Sequence, residues 1–321
     1  MKTLVTGGAG FIGSNFVRFM LENSDGEFVI YDSLTYAGHL STIKDLLDNS
    51  RVSFVQGDIC EPDAIRLAMK NCQQVVHFAA ESHVDRSIVG SAVFFQTNCF
   101  GTNVVMDAAK FCEVEKVVHI GTDEVYGSVE IGASAETEAL DPRSPYSASK
   151  AGSDLIALAY HHTFGLPVVV TRCTNNFGPF QFPEKAIPLF VTNLLEGKSV
   201  PLYGDGLHQR DWLFVDDHCA AIDLVLNSGV VGEIYNVGAG NETANIDLVK
   251  MILEFLELNQ DRIEFVSDRP GHDRRYSVNI EKITNLGWKR HSNLDDRLAQ
   301  TVRWYIDNQW WWGPLRNSRV R

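Results

Sequence analysis

The sequence has few of the features that mark metal-binding, secreted or membrane-spanning proteins. Its six cysteines are scattered through 321 residues, and none belongs to a CxxC pair or has histidines nearby at metal-ligand spacing. We therefore expect free thiols in a reducing compartment and no metal site. No apolar run is long enough to span a membrane, and the segment MKTLVTGGAG is broken by glycines too early for a signal peptide. These features favour a cytoplasmic protein.

Positive charge is also scarce. The formal net charge is −13, so the surface repels nucleic-acid phosphates and anionic membranes, and neither is expected as a partner. Hydrophobic residues make up 45% and charged residues 21%, as in ordinary soluble globular proteins. A chain of this length can bury a large core without disulfides or metals. An anionic ligand would need a local cluster of Arg and Lys against this acidic background.

Short β-branched segments alternate with amphipathic ones in the first half of the chain. The predicted strands are Lys2–Thr6, Glu27–Asp32, Arg51–Gln56, Gln73–Ala79, Lys116–Gly121 and Pro167–Thr171. The predicted helices are Phe11–Glu22, Asp63–Lys70, Ser91–Cys112 and Tyr146–Phe164. Strands that alternate with helices indicate parallel crossovers. The pattern therefore predicts an α/β protein with a doubly wound parallel sheet.

Proline and glycine become frequent after about residue 172. We predict that residues 1–172 form a cofactor-binding domain with the catalytic residues. Residues 173–321 are predicted to be mainly a smaller substrate-binding region, with some elements returning to the first domain. The tail Gln309–Pro314 is aromatic, and we expect it to pack against the protein's own surface, with a partner site as the alternative.

A glycine fingerprint follows the first predicted strand and opens the first helix. Gly7, Gly10 and Gly13 give the spacing GxxGxxG, which permits a tight turn and exposes helix N–H groups to a pyrophosphate. Asp32 ends the second strand, 19 residues after Gly13. Its carboxylate can accept hydrogen bonds from the adenosine ribose and would repel a 2′-phosphate, so the pattern favours NAD in a Rossmann-type domain. A simple strand-end turn is the alternative role for Asp32.

Two further patterns bear on cofactor and catalysis. Asp58-Ile59 follows the third strand, where a carboxylate can meet the adenine amino group or simply form a turn.

Tyr146 and Lys150 form a YxxxK pair, and positions four apart share one face of a helix. The Lys ammonium can then favour the Tyr phenolate, which is needed because an unperturbed Tyr has a pKa of about 10. A surface Tyr over a Lys stem is the alternative.

With the glycine fingerprint, this pair resembles the extended short-chain dehydrogenase/reductase family. Asp123 and Glu124 follow the fifth strand, at the sheet edge where ligands bind. Two adjacent carboxyls in different environments can serve as acid and base, which a dehydration requires. A solvated turn is the alternative interpretation of this pair.

The segment TDEVYG at 122–127 is similar to the dTDP-glucose 4,6-dehydratases, as are several other motifs. Those motifs are AAESHVDRS at 79–87, NNFGP at 175–179, FPEK at 182–185, RDWL at 210–213 and RPGHDRRY at 269–276. The resemblance covers nearly the whole chain and thins at the C-terminal tail. Phe177 and Thr174 depart from the family pattern, where Tyr and Ser are usual.

The resemblance implies a three-step reaction that regenerates its cofactor. Tyr146 takes the proton of the sugar 4-hydroxyl, Lys150 supports it and holds the nicotinamide ribose, and Thr122 hydrogen-bonds nearby. Glu124 then removes the hydrogen on carbon 5, and Asp123 protonates the departing 6-hydroxyl. NADH returns the hydride to carbon 6, so the product is a 4-keto-6-deoxy sugar and the cofactor stays bound.

The resemblance also implies ligand contacts. For NAD it adds Phe11, Ile12, Thr35, Ala79, Ala80, Thr97 and Asn176. For the substrate it places Ser82 and Asn175 at the sugar, Lys185, Arg210, Asn245 and His272 at the nucleotide, and Pro201 and Tyr203 near the base. Arg274 and Arg275 can contact the ligand or be surface charges. The family also implies a homodimer through the helices Ser91–Cys112 and Tyr146–Phe164.

Three alternative functions stay open at this point. The protein can be a dehydratase of a UDP- or GDP-linked sugar, because the contacts that select the base are not readable from the sequence. It can be a nucleotide-sugar 4-epimerase, against which the Asp123-Glu124 pair argues. A non-catalytic NAD-binding scaffold is the third alternative, and the intact Tyr146, Lys150, Asp123 and Glu124 argue against it.

Overall fold

A seven-stranded parallel sheet lies at the centre of the computed structural model, which describes residues 1–291 and 293–317. Its strands are β1 (Lys2–Thr6), β2 (Glu27–Asp32), β3 (Val52–Gln56), β4 (Gln74–His77), β5 (Lys116–Thr122), β6 (Val168–Cys173) and, from the second half of the chain, β10 (Ile234–Val237). They are ordered β3-β2-β1-β4-β5-β6-β10, and all neighbours are parallel. This order confirms the predicted Rossmann-type α/β fold.

Helices cover both faces of the sheet. They are α1 (Phe11–Asn23), α2 (Leu40–Leu47), α3 (Pro62–Met69), α4 (Val84–Val89), α5 (Ala92–Phe94), α6 (Thr102–Phe111), α7 (Pro145–Phe164), α8 (Ala186–Leu195), α9 (Val215–Ser228), α10 (Asn245–Phe255), α11 (Glu281–Leu286), α12 (Leu294–Asp307) and α13 (Gln309–Asn317). One apolar core lies between the sheet and α1, α2 and α9, and a second lies under α3, α6 and α7. Among the described helices, none has both the length and the apolar character that a membrane crossing requires.

Two predicted helices flank the site, and the structure contains one of them as predicted and divides the other. Ser144 and Ser147 form a capping box at the start of α7, Pro145 occupies its first turn, and Gly165 ends it in the left-handed conformation. The predicted helix Ser91–Cys112 is different in the structure. It is divided into α5, a π-helical turn over Phe95–Gly101 and α6.

The second half of the chain builds smaller sheets beside the main one. Strands β7 (Asn175–Phe177), β9 (Gln209–Phe214) and β11 (Glu242–Ala244) form one sheet, and β8 (Val200–Tyr203) pairs with β12 (Ile263–Val266). A separate apolar core joins these strands to α8, α10, α12 and α13. The boundary between residues 172 and 173 stays a prediction, and Ser292 and residues 318–321 of the second region lie outside the described residues.

The aromatic tail packs against the protein itself. Trp311 and Trp312 are buried, and their indole N–H groups donate to Thr42 Oγ1 at 3.2 Å and to Tyr305 O at 2.7 Å. Trp310 stays 59% exposed. Because Thr42 belongs to α2, the tail connects the C-terminal helices to the first half of the chain.

Candidate active site

A cavity of about 390 Å³ opens at the carboxyl ends of the parallel strands. It lies where the sheet order reverses between β1 and β4, the usual ligand site of such sheets. Its walls come from both halves of the chain. The predicted residues that line it are Gly7, Gly10, Phe11, Ile12, Gly13, Asp32, Thr35, Asp58, Ile59, Ala79, Ala80, Ser82, Thr97, Thr122, Asp123, Glu124, Tyr146, Lys150, Asn175, Asn176 and Lys185.

The glycine turn is shaped by close backbone packing. Gly7 has a positive φ of 66°, and a Cβ there would lie 2.7 Å from the backbone nitrogen of Ala79. A Cβ on Gly13 would lie 2.5 Å from the carbonyl oxygen of Gly7. Gly10 is the N-cap of α1 and has no side chain to satisfy the first N–H groups of the helix. The helix N-terminus therefore presents donors to the cavity, as a pyrophosphate site requires.

Two carboxylates lie at the strand ends on the predicted adenosine side. Asp32 is buried, and its oxygens accept hydrogen bonds from the N–H groups of Ala9 at 3.0 Å and Leu34 at 2.8 Å. Asp58 accepts a hydrogen bond from the Cys60 N–H at 2.8 Å. Both residues thus shape their own turns and also face the cavity, so the geometry fits a dinucleotide of the NAD type.

The Asp123-Glu124 pair begins a 3₁₀ turn over Asp123–Tyr126, directly after β5. The Thr122 hydroxyl organises this turn, because it donates to Asp123 Oδ1 and accepts from the Glu124 N–H, both at 3.3 Å. Asp123 is 3% exposed, and its Oδ2 has no hydrogen-bond partner among the described residues. The pair therefore holds one oxygen that is ready to bind a ligand group.

The two carboxyls have different electrostatic surroundings. Burial raises the pKa of Asp123 well above its ordinary value, and the Glu124 carboxylate raises it further. Burial also raises the pKa of Glu124, but three cationic side chains oppose that shift. These cations are Arg269, Lys185 and Arg210. Asp123 is therefore the better candidate for a protonated acid, and Glu124 for an ionised base.

Tyr146 and Lys150 share the face of α7 that meets the cavity. The Lys150 ammonium donates to the Ile120 carbonyl at 2.7 Å. Burial raises the pKa of Tyr146 well above its ordinary value, and the Glu124 carboxylate adds to the shift. A buried phenolate is poorly solvated and lies near a carboxylate, which explains this direction. The support of the phenolate by Lys150 stays a prediction.

The predicted nucleotide contacts divide into two groups. Lys185, which lines the cavity, donates to the Ser82 carbonyl across the cleft. Arg210 lies outside the cavity lining, but it influences the pKa of both Asp123 and Glu124. Its guanidinium donates to Asp273 O at 2.8 Å. These two cations are therefore placed to meet an anion that extends from the carboxylate pair.

The other predicted nucleotide residues lie farther out. Tyr203 donates to Asp85 Oδ2 at 3.0 Å, and His272 pairs with Asp268 at 2.6 Å. Asn245 Oδ1 is buried without a hydrogen-bond partner in the part of the chain that is described. Pro201 pairs with the edge strand β12. The structure does not bring these four residues to the cavity wall itself.

Arg274 and Arg275 each form an ion pair, and a contact of either residue with the ligand stays a prediction. Arg274 pairs with Asp205 at 2.7 Å, and both side chains are about half exposed. Arg275 pairs with Glu242. Each guanidinium therefore already has a carboxylate partner, at the surface for Arg274 and in a partly buried position for Arg275.

Sequence reasoning missed several cavity residues. Glu81, Phe182 and Glu184 line the cavity, and Glu184 accepts from Arg86 of α4 at 2.8 Å. For the motif FPEK, the resemblance implies a ligand contact only at its lysine. Which side chains of a loop face a cavity depends on the path of the loop, and local pattern does not encode that path.

The fold and the cavity define a dinucleotide-dependent enzyme of the extended short-chain dehydrogenase/reductase type. The family model described as GDP-mannose 4,6 dehydratase matches residues 4–301, and the chain belongs to this family. It is 50% identical to a dTDP-glucose 4,6-dehydratase from an Actinoplanes species, over 97% of this chain and 100% of the relative. These matches confirm the resemblance that the sequence motifs indicate.

Solved structures give the same result. DesIV, a dTDP-glucose 4,6-dehydratase from Streptomyces venezuelae solved with NAD and dTDP, has a TM-score of 0.97 and 50% identity, over 98% of this chain and 100% of DesIV. A UDP-glucuronic acid 4-epimerase from Bacillus cereus has a TM-score of 0.91 but only 28% identity, over 96% of this chain and 100% of the epimerase. Epimerases thus share the fold, while the dehydratases share half of the sequence.

Proposed function

We propose that the protein is a dTDP-glucose 4,6-dehydratase that releases water and dTDP-4-keto-6-deoxyglucose. The observation that carries this proposal is the Asp123-Glu124 pair, whose two carboxyls face the same cavity as Tyr146 and Lys150. An epimerase needs only reversible oxidation at carbon 4. An elimination also needs an acid and a base, and the two carboxyls have the different surroundings that such roles require.

NAD is the proposed cofactor, and it supplies the hydride acceptor, the returning hydride and a cationic ring that favours a nearby phenolate. The α1 N-terminus and Asp32 would hold its pyrophosphate and adenosine ribose. Tyr146 accepts the proton of the 4-hydroxyl, and Thr122 hydrogen-bonds near the same oxygen. Lys150, fixed by the Ile120 carbonyl, contributes positive charge beside Tyr146.

The elimination is assigned to the turn after β5. Once carbon 4 is a ketone, the hydrogen on carbon 5 is acidic, and the Glu124 carboxylate removes it. Asp123 delivers its proton to the 6-hydroxyl, which leaves as water, and Glu124 returns its proton to carbon 5 when carbon 6 receives the hydride. The raised pKa of Asp123, caused first by burial and then by Glu124, keeps that proton available.

The diphosphate of the substrate is assigned to cations against an acidic background. Lys185 and Arg210 extend from the carboxylate pair and can bind phosphate oxygens. Ser82 and Asn175 are assigned to the sugar. Tyr203, with Pro201, Asn245 and His272, is assigned to the nucleoside end.

We also propose a homodimer in the cytoplasm. The π-helical turn, α6 and α7 expose large apolar side chains, which suit a buried contact between two copies. These side chains are Phe95, Phe100, Phe111, Leu155 and Phe164. All six cysteines are free thiols, as expected in a reducing compartment. Light scattering of the purified protein tests the dimer.

A substrate panel tests the proposed activity. The protein is incubated with dTDP-, UDP- and GDP-glucose, and the products are separated and identified by mass and NMR. We expect loss of water and a 4-keto-6-deoxy sugar, fastest with dTDP-glucose. Recovery of only the 4-epimer would reject the dehydratase assignment, and faster turnover of UDP- or GDP-glucose would reject the base assignment.

A further inference from the structure

A chain of buried polar side chains lies behind the end of β5. Arg172, on β6, donates from Nε to Asp154 Oδ2 and from Nη1 to the Tyr126 hydroxyl, both at 2.9 Å. The Tyr126 hydroxyl donates onward to Asn236 Oδ1 at 2.8 Å. We call these four side chains the brace. Each is at most 6% exposed, so the brace forms part of the protein interior.

The brace joins the two segments that carry the proposed chemistry. Tyr126 belongs to the same 3₁₀ turn as Asp123 and Glu124. Asp154 lies four residues after Lys150 on α7, so it occupies the same side of that helix one turn later. Tyr126 therefore connects the brace to the acid–base turn, and Asp154 connects it to the helix that bears the YxxxK pair.

The end of β5 leaves room for this arrangement. A Cβ on Gly121 would lie 2.7 Å from the Thr171 carbonyl oxygen and 2.9 Å from Asp154 Oδ1. A larger residue directly before Thr122 would therefore displace either the strand end or the ion pair. Glycine at this position has a structural reason that the sequence pattern does not reveal.

Stability alone does not account for the brace. Burying an Arg–Asp pair carries a large desolvation cost, and well-packed apolar replacements are often at least as stable. Such a network fixes geometry, because each hydrogen bond has a preferred distance and direction. The Asp154 carboxylate also opposes the lowering of the Lys150 pKa that burial causes. The brace thus acts on both position and charge in the site.

We propose that Tyr126 and Arg172 are positioning residues that set the acid–base turn against the Tyr146–Lys150 face of α7, an inference that rests on the proposed dehydratase function. Oxidation uses Tyr146, whereas elimination needs Asp123 and Glu124 to address the same sugar ring. A misplacement of about 1 Å can lower a rate about 100-fold. Loosening the brace at Tyr126 therefore slows elimination more than oxidation.

The test compares two matched variants, Tyr126→Phe and Tyr235→Phe. Tyr235, on β10, is also buried and does not line the cavity. Its hydroxyl accepts a hydrogen bond from the Val230 N–H at 3.1 Å. Each variant is mixed rapidly with dTDP-glucose, and the absorbance of reduced nicotinamide and the release of 4-keto product are followed.

For Tyr126→Phe we expect oxidation within about twofold of the unmodified protein, elimination slowed about 10- to 100-fold, and a larger steady-state fraction of reduced nicotinamide. For Tyr235→Phe, the ratio of the elimination rate to the oxidation rate should equal that of the unmodified protein. The same ratio in both variants, or an equal slowing of both steps in Tyr126→Phe, would overturn the proposal.

Arg172→Lys provides an independent test if Tyr126→Phe does not fold. The lysine keeps the charge next to Asp154, but it has one ammonium in place of the guanidinium fork that spans two partners. The same accumulation of reduced nicotinamide is expected, and normal partitioning would overturn the proposal. Absence of any 4-keto product from the unmodified protein would instead refute the proposed function.

Discussion

Replacing Glu124 by glutamine separates oxidation from elimination. Glutamine keeps the shape of the side chain but cannot accept the proton from carbon 5. A general base contributes about 100- to 10,000-fold, so kcat should fall by that factor, equivalent to about 3 to 5 kcal/mol in the barrier. The structure adds a second consequence. Burial and then the Glu124 charge raise the pKa of Tyr146, so the substitution lowers that pKa and leaves oxidation intact.

Reduced nicotinamide should therefore accumulate on Glu124→Gln during turnover. Stopped-flow absorbance after mixing with dTDP-glucose measures this accumulation, and mass analysis of the sugar nucleotide measures the missing product. Glu138→Gln, at an exposed position, is the control for loss of one negative charge. Normal turnover by Glu124→Gln would show that this carboxylate is not the base, and loss of the absorbance change would show that oxidation depends on it.

Three further predictions use the same site. Tyr146→Phe should abolish the absorbance change on mixing with substrate, and unchanged oxidation would remove this phenol from the mechanism. The kcat/KM should fall as pH drops through the pKa of Glu124, which burial raises, and as pH rises through the pKa of Asp123, which burial and Glu124 raise well above its ordinary value; a kcat/KM profile with its acid limb at or below the ordinary pKa of a glutamate would contradict this. Gly7→Ala should lower Tm and weaken NAD binding, measured by calorimetry, because its Cβ would lie 2.7 Å from a backbone nitrogen. The control is Gly132→Ala, where φ is also positive but the Cβ meets open space; equal effects would refute the packing argument.

The sequence alone determined the features that depend on local pattern. The glycine fingerprint requires a turn between β1 and α1, and the alternation of strands and helices requires parallel crossovers. Ser144 and Pro145 mark the start of α7, so the shared face of Tyr146 and Lys150 follows from helix periodicity. Each of these features involves residues close together in the chain, where backbone geometry leaves few alternatives.

Only the tertiary structure decided the environment of the site. Three features join residues far apart in the chain: the identity of β10 as the strand that returns to the main sheet, the outer position of Tyr203 and His272, and the link between Arg172 and Tyr126. The direction of the Tyr146 pKa also depended on burial and on Glu124. Burial and Coulomb interactions depend on distances through space, and spacing along the chain does not contain those distances.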